Sequence, residues 1–211
     1  GGLTLNPTAS NTIQHYMFTA DSGVVTLDEK TVAVPTTSSD QISITATVPP
    51  SFTFVLGSPT AALGTLSSSS ISSGAGNAIT ITTNAGSGWN AWVRSANVGL
   101  TSANVTHTIG TAGSIDAAPS TIVAGTEGYV LDVDLTTDAP SGGTVTLAGE
   151  YNGTTTAQGG TLSTSFQSIA SADGVTNGDI LTLIPRVAIS GTTKAATDYV
   201  DTLTVVGAGI F

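Results

Sequence analysis

The sequence predicts an all-β fold, a jelly-roll-like β-sandwich, and three observations predict it. Apolar residues alternate with Thr and Ser over many short stretches. Turn-forming Gly, Pro, Asn and Asp separate those stretches, with 25 Gly and 8 Pro in 211 residues. No window places apolar residues at helical spacing between caps, and Lys, Arg and Glu, the usual surface helix formers, are scarce in a chain only 9% charged. Many short strands with turn signals between them are the pattern of two sheets sharing one core.

Taken in order, Gly1–Thr12 carries Leu3 and Leu5 in alternation, then Asn6-Pro7 and a polar stretch before the apolar run Ile13–Phe18. An isolated strand of this kind is unstable in water, so it pairs either with its own sheet or with a neighbouring molecule. Residues 1–20 are therefore read as an N-terminal arm and residues 21–211 as a single β-sandwich domain. Within that domain, alternation with period 2 predicts half-buried strands at Ile42–Val48, Ile79–Thr82, Tyr129–Leu135, Gly143–Leu147, Leu181–Ile184 and Asp201–Val205. The Ser/Gly-rich stretch Ser67–Gly76 reads as a loop inside one domain, because the flanking pieces are too short to close separate cores.

Composition excludes several functions. There are 14 acidic and 4 basic residues, a formal net charge of −10 and a pI near 4.1. So few cations make no patch able to neutralise phosphates, which argues against nucleic acid and against anionic membrane surfaces. With 39% apolar residues and a mean hydropathy of +0.28 the chain is expected to fold, and no apolar run is long enough to span a bilayer. Cysteine is absent, so no disulfide supports the fold. The sequence starts at Gly1 without Met, which is the expected appearance of a mature, exported chain whose targeting segment has been removed.

Catalytic and metal-binding signals are weak throughout. The two histidines, His15 and His107, are far apart, and no Cys nucleophile or G-x-S-x-G elbow is present, so no enzyme is expected. No cofactor motif and no zinc site is expected either. Asp132 and Asp134 lie two apart on a predicted strand and so share a face. Asp173, Asn177 and Asp179 punctuate a Gly-containing loop. Both sets are calcium candidates, and a solvated strand face and an ordinary turn are the readings preferred here. Trp89 and Trp92 fall on opposite faces of a strand, one in the core and the other free to pack, to stack on a sugar or to fill an interface. Asn104-Val105-Thr106 and Asn152-Gly153-Thr154 are glycosylation sequons, making Asn104 and Asn152 candidate glycan acceptors. Lys30 and Lys194 raise the idea of a Lys–Asn isopeptide crosslink, though exposed lysines are commoner.

The stretch Ile-Ser-Ile-Thr-Ala-Thr-Val-Pro-Pro-Ser-Phe-Thr-Phe from Ile42 to Phe54, then Leu63-Gly64-Thr65-Leu66 and Ile79–Asn84, and the ending Asp198–Val205 form a set. Together they resemble the TasA/camelysin-like secreted jelly-roll fibre subunits and similar pilin-like domains. No Trp-x-Leu motif is present, which separates the chain from wall-binding domains that share some of these patterns. The resemblance implies an extracellular, cell-surface filament whose partners are identical subunits, assembled head to tail by donor-strand exchange. On that footing Gly1 to about Thr12 is the donor strand, with Leu3 and Leu5 as inserted knobs and Thr4 facing the other way. Pro7, having no N–H to donate, ends the paired segment. A surface adhesin or carbohydrate-binding module, and an S-layer or wall-associated domain, remain as other readings.

Overall fold

The computed structural model describes residues 42–140 and 142–211 in full and, of the strands at 12–20 and 26–35, the backbone. The chain divides after Val48 into two compact units. In the first, β1 (Thr12–Ala20) pairs antiparallel with β2 (Thr26–Pro35), Ile13 opposite Val34 and Phe18 opposite Glu29. His15 lies in β1 and Lys30 in β2. The expected donor residues Leu3, Thr4 and Leu5 lie outside the described residues.

Ile42–Val48, expected as a half-buried strand, forms none. Ile42, Ile44 and Val48 are 87%, 89% and 80% exposed, and no described strand pairs with this stretch. The alternation is intact, but a strand is made by a neighbour that accepts its N–H and donates to its C=O. Among the described residues that neighbour is missing.

The second unit, Pro49–Phe211, is all-β, with no helix among the described residues. Its first sheet runs in the order β10 (Gly128–Thr137), β14 (Thr176–Ala188), β5 (Asn77–Thr83), β3 (Phe52–Leu56), with the short β4 (Ser72–Ser73) also on β14. The second runs β11 (Val145–Leu147), β13 (Gln167–Ala172), β6 (Trp89–Ser95), β15 (Leu203–Gly209). Two ribbons complete it, β7 (Gly99–Ser102) with β8 (His107–Gly110) and β9 (Ser120–Thr121) with β12 (Gln158–Gly159). Every pairing between these strands is antiparallel.

Alternation explains how the sheets meet. Ile79 and Ile81 of β5, Leu131 and Val133 of β10, and Leu181 of β14 are fully buried from one sheet; Trp89, Ala91 and Val93 of β6 and Ile169 of β13 are fully buried from the other. They belong to one apolar cluster, so the unit has the architecture of a β-sandwich. The Asp201–Val205 expectation is displaced by two residues, because β15 begins at Leu203. Asp201 instead turns its carboxylate to Ser95 Oγ at 2.7 and 2.9 Å and to Asn97 N–H at 3.2 Å. Ser67–Gly76 lies within the second unit, where Ser72 and Ser73 pair with β14. At the turn into β6, Gly88 has φ +83, and a Cβ there would lie 1.8 Å from the Ala172 carbonyl oxygen. Only glycine permits that approach.

The outer face of the first sheet is partly covered as well. Ile122, Val130 and Ala188 form a second, smaller cluster. Beside it, on that face, Arg186 Nη2 donates to Asp132 Oδ2 at 2.5 Å, with side-chain exposures of 8% and 2%. Arg186 Nη1 also reaches Ser73 Oγ and the Thr156 carbonyl, and Asp132 Oδ1 accepts from Gly153 N–H at 2.9 Å. One ion pair thus ties β4, β10, β14 and the loop at 153–156 together.

Candidate functional site

The two sheets do not close along β15. This strand pairs only with β6 among the described residues, so its other edge presents unpaired backbone groups. In register, Leu203 lies opposite Ser95 and Val205 opposite Val93, so both share the inward face. Val93 is 0% exposed, yet Leu203 and Val205 are only half-buried. Further along, Gly207 and Gly209 are covered from the opposite sheet by aromatic rings: a Cβ on Gly207 would lie 2.5 Å from Phe54 Cδ2, and one on Gly209 3.1 Å from Phe52 Cδ2. The phenylalanines of β3 therefore fill the glycine half of this opening. No described residue of the second unit fills the Leu203–Val205 half.

What remains is a cleft of ≈ 970 Å³ between β15 and the segment Leu56–Leu66. Core residues Leu131 and Leu183 reach it from below, while Leu63 and Leu66 on one wall and Tyr199 on the other are half-buried against the core. The wall at 56–66 has no charged residue, and none occurs anywhere between Asp40 and Arg94. Lys194 and Asp201 are the charged groups lining the cleft; Lys194 Nζ is occupied by the Val105 carbonyl at 3.0 Å and Asp201 by Ser95 and Asn97.

The wall that leads into β15 is held by polar clasps. Thr193 Oγ1 donates to Glu127 Oε1 at 2.5 Å, and His107 Nε2 lies 3.0 Å from the same oxygen. The Thr193 hydroxyl above all, with His107, holds the Glu127 carboxyl below its ordinary pKa against the opposing effect of burial. Ser102 Oγ donates to Asp198 Oδ1 at 2.5 Å and Asn104 N–H to Asp198 Oδ2 at 3.0 Å, which lowers the Asp198 pKa in the same way. Tyr199 OH donates to the Lys194 carbonyl at 2.9 Å.

At the other end of the sandwich Asn84 fixes where the chain enters. Its Oδ1 accepts from Ser51 N–H at 2.7 Å, its Nδ2 donates to the Pro49 carbonyl at 2.9 Å, and its N–H donates to the Ser51 carbonyl at 3.2 Å. From there β3 runs from Phe52, opposite Thr83, to Leu56, opposite Ile79. The clamp is at the Thr83 end and the cleft at the Leu56 end.

The sequence-predicted site residues are dispersed. His107 belongs to the Glu127 clasp. Asp132 and Asp134 do share a face, but Asp132 is spent on Arg186 and Gly153, while partial burial, then the neighbouring Asp132, raise the pKa of Asp134. Asp173 Oδ1 accepts from Thr144 N–H at 2.7 Å. Asn177 is exposed in β14 and Asp179 is 0% exposed, because a register shift at Asn177/Asp179, with Gly178 at φ +105, changes the strand's parity. The buried Asp179 carboxylate accepts from Trp89 Nε1 at 2.8 Å and from Ala139 N–H at 3.0 Å. Among the described residues no three His, Asp or Glu groups are arranged to hold a metal. Trp89 is the core tryptophan and Trp92 is half-buried. Asn104 and Asn152, with Thr106 and Thr154 of their sequons, are exposed. The cleft is not legible in the sequence, because its residues are scattered from Leu56 to Val205 over stretches that share no motif.

Comparison of the chain with protein-family models, with curated proteins and with solved structures finds no match in any of the three.

Proposed function

We propose that this protein is a structural subunit of an extracellular filament, polymerising head to tail by donor-strand complementation, with no catalytic role. The observation that carries the reading is an incomplete sandwich: an edge at β15 that no other described strand pairs, beside half-buried Leu203 and Val205, opening on a cleft that reaches the core residues Leu131 and Leu183. A strand supplied from outside would complete the ladder through its backbone and the core through alternate side chains. The sandwich is read as jelly-roll-like, since successive strands alternate between sheets, as β5 to β6, β10 to β11 and β13 to β14 to β15. The low-charge, Thr-rich surface suits the close packing of identical copies, and exposed Asn104 and Asn152 leave room for glycans. The test is electron microscopy and sedimentation of the purified chain over a range of concentrations. Filaments with a regular subunit repeat are expected. A chain that stays monomeric at every concentration rules the reading out.

A further inference from the structure

Resting on that filament reading, we infer that Ile42–Val48 is the strand one copy of this chain donates to the cleft of the next, lying along the free edge of β15. Four residues of one parity, Ile42, Ile44, Ala46 and Val48, are apolar, and the three between them are Ser43, Thr45 and Thr47. A strand added to β15 sends one parity into the cleft and the other to the outer surface, so this alternation has the required form. Among the described residues no strand pairs with this stretch, and Ile42, Ile44 and Val48 are 87%, 89% and 80% exposed. The segment and the Leu56–Leu66 wall are both uncharged, and of the charged groups lining the cleft Asp201 is bonded to Ser95 and Asn97 and Lys194 Nζ to the Val105 carbonyl. Seven residues extend over about 23 Å, the length of β15 itself.

The occupant is a second copy because the chain enters the sandwich under restraints that oppose its folding back. Pro49–Ser51 are clamped by Asn84 at the Thr83 end of β3, and the cleft opens at the Leu56 end. Pro49 and Pro50 fix their own φ and hold Val48 extended, which opposes a reversal there. A donor that precedes the clamp at the Thr83 end and an acceptor that opens at the Leu56 end make a heterologous contact, and its repetition is an open filament. The donor is thereby moved from Leu3–Leu5 to the stretch immediately before the sandwich.

The experiment uses the full chain and four variants: Ile44→Asp in the donor, Leu56→Glu at the lip of the cleft, Ala46→Asp as a second donor change, and Leu3→Asp with Leu5→Asp. Ile44 is exposed, so its variant is expected to fold as the native chain does by circular dichroism. Either donor change alone is expected to raise the critical concentration for assembly by about a hundredfold or more, because it asks the cleft to take an unpaired carboxylate. Leu56→Glu is expected to do the same. Mixing Ile44→Asp with Leu56→Glu chains, one keeping an acceptor and the other a donor, should give a one-to-one dimer and nothing longer. A synthetic peptide of residues 41–50 should cap the native chain and suppress growth. Normal filaments from both donor variants, with assembly lost in the Leu3/Leu5 variant, overturn this assignment and leave the filament reading standing. Destabilised Ile44→Asp monomers that no peptide rescues mean that the segment fills its own cleft, which also overturns it. Failure of the native chain to assemble removes both.

Discussion

Replacing Arg186 with Met is expected to cost far more than the loss of one ion pair at a surface. The substitution keeps the length of the aliphatic stem but removes the donors to Asp132, Ser73 and the Thr156 carbonyl. Asp132, whose side chain is 2% exposed, is left as a buried carboxylate with Gly153 N–H as its remaining partner. Breaking a buried pair by removing one member costs about 3–5 kcal/mol, because the remaining charge keeps its desolvation penalty. For a domain of this size each kcal/mol lowers Tm by about 2–4 °C, so the variant should melt about 6–20 °C below the native chain. Adding Asp132→Asn to the same chain removes the charge and keeps an oxygen for Gly153, and should restore more than half of the loss. Urea unfolding followed by the fluorescence of Trp89 and Trp92 measures all of these. A single variant that loses less than about 1 kcal/mol, or a double variant no better than the single, would refute the reasoning.

Gly88→Ala is expected to unfold the chain at ordinary temperature, since its Cβ would lie 1.8 Å from a backbone oxygen at φ +83; a soluble variant with a native circular dichroism spectrum would count against it. Acid should loosen the cleft wall. Glu127 and Asp198 have folded-state pKa values below their ordinary 4.5 and 3.8, so the stability they lend is present above those values and lost as pH falls through the depressed ones. Hydrogen exchange at residues 193–200 between pH 6 and pH 3 measures this, and Glu127→Gln should lower protection at neutral pH and so flatten the acid limb.

Alternation made much of the fold legible, and also shows where legibility ends. Ile79-Thr80-Ile81-Thr82 and Ile42-Ser43-Ile44-Thr45 read alike, yet one is a buried strand and the other is exposed. Periodicity reports which face a strand would bury and carries no information on which molecule supplies the ladder. The shared face of Asp132 and Asp134 is readable for the same reason, but not that the Asp132 end is covered. That depends on Arg186, fifty-four residues away in sequence, and on the loop at 153–156. Asp179 reads as a turn residue from the Gly, Asn and Asp around it and is instead a buried strand residue, because β14 carries those residues into the sheet through a bulge at Gly178. The cleft has no signature, since its lining is drawn from residues far apart in the sequence.

The Asn84 clamp has a mechanical meaning. Tension drawn outward at Pro49 passes into β3 along its own axis, so the bonds joining β3 to β5 from Phe52–Thr83 to Leu56–Ile79 are loaded in parallel. Rungs loaded in parallel must yield together, whereas rungs pulled crosswise open one at a time. The bonds from Asn84 to Pro49 and Ser51 sit where that load arrives, and they keep it from prying the first rung open. A chain with no cysteine can thus resist stretching through the direction in which it is pulled, without a covalent crosslink at this junction.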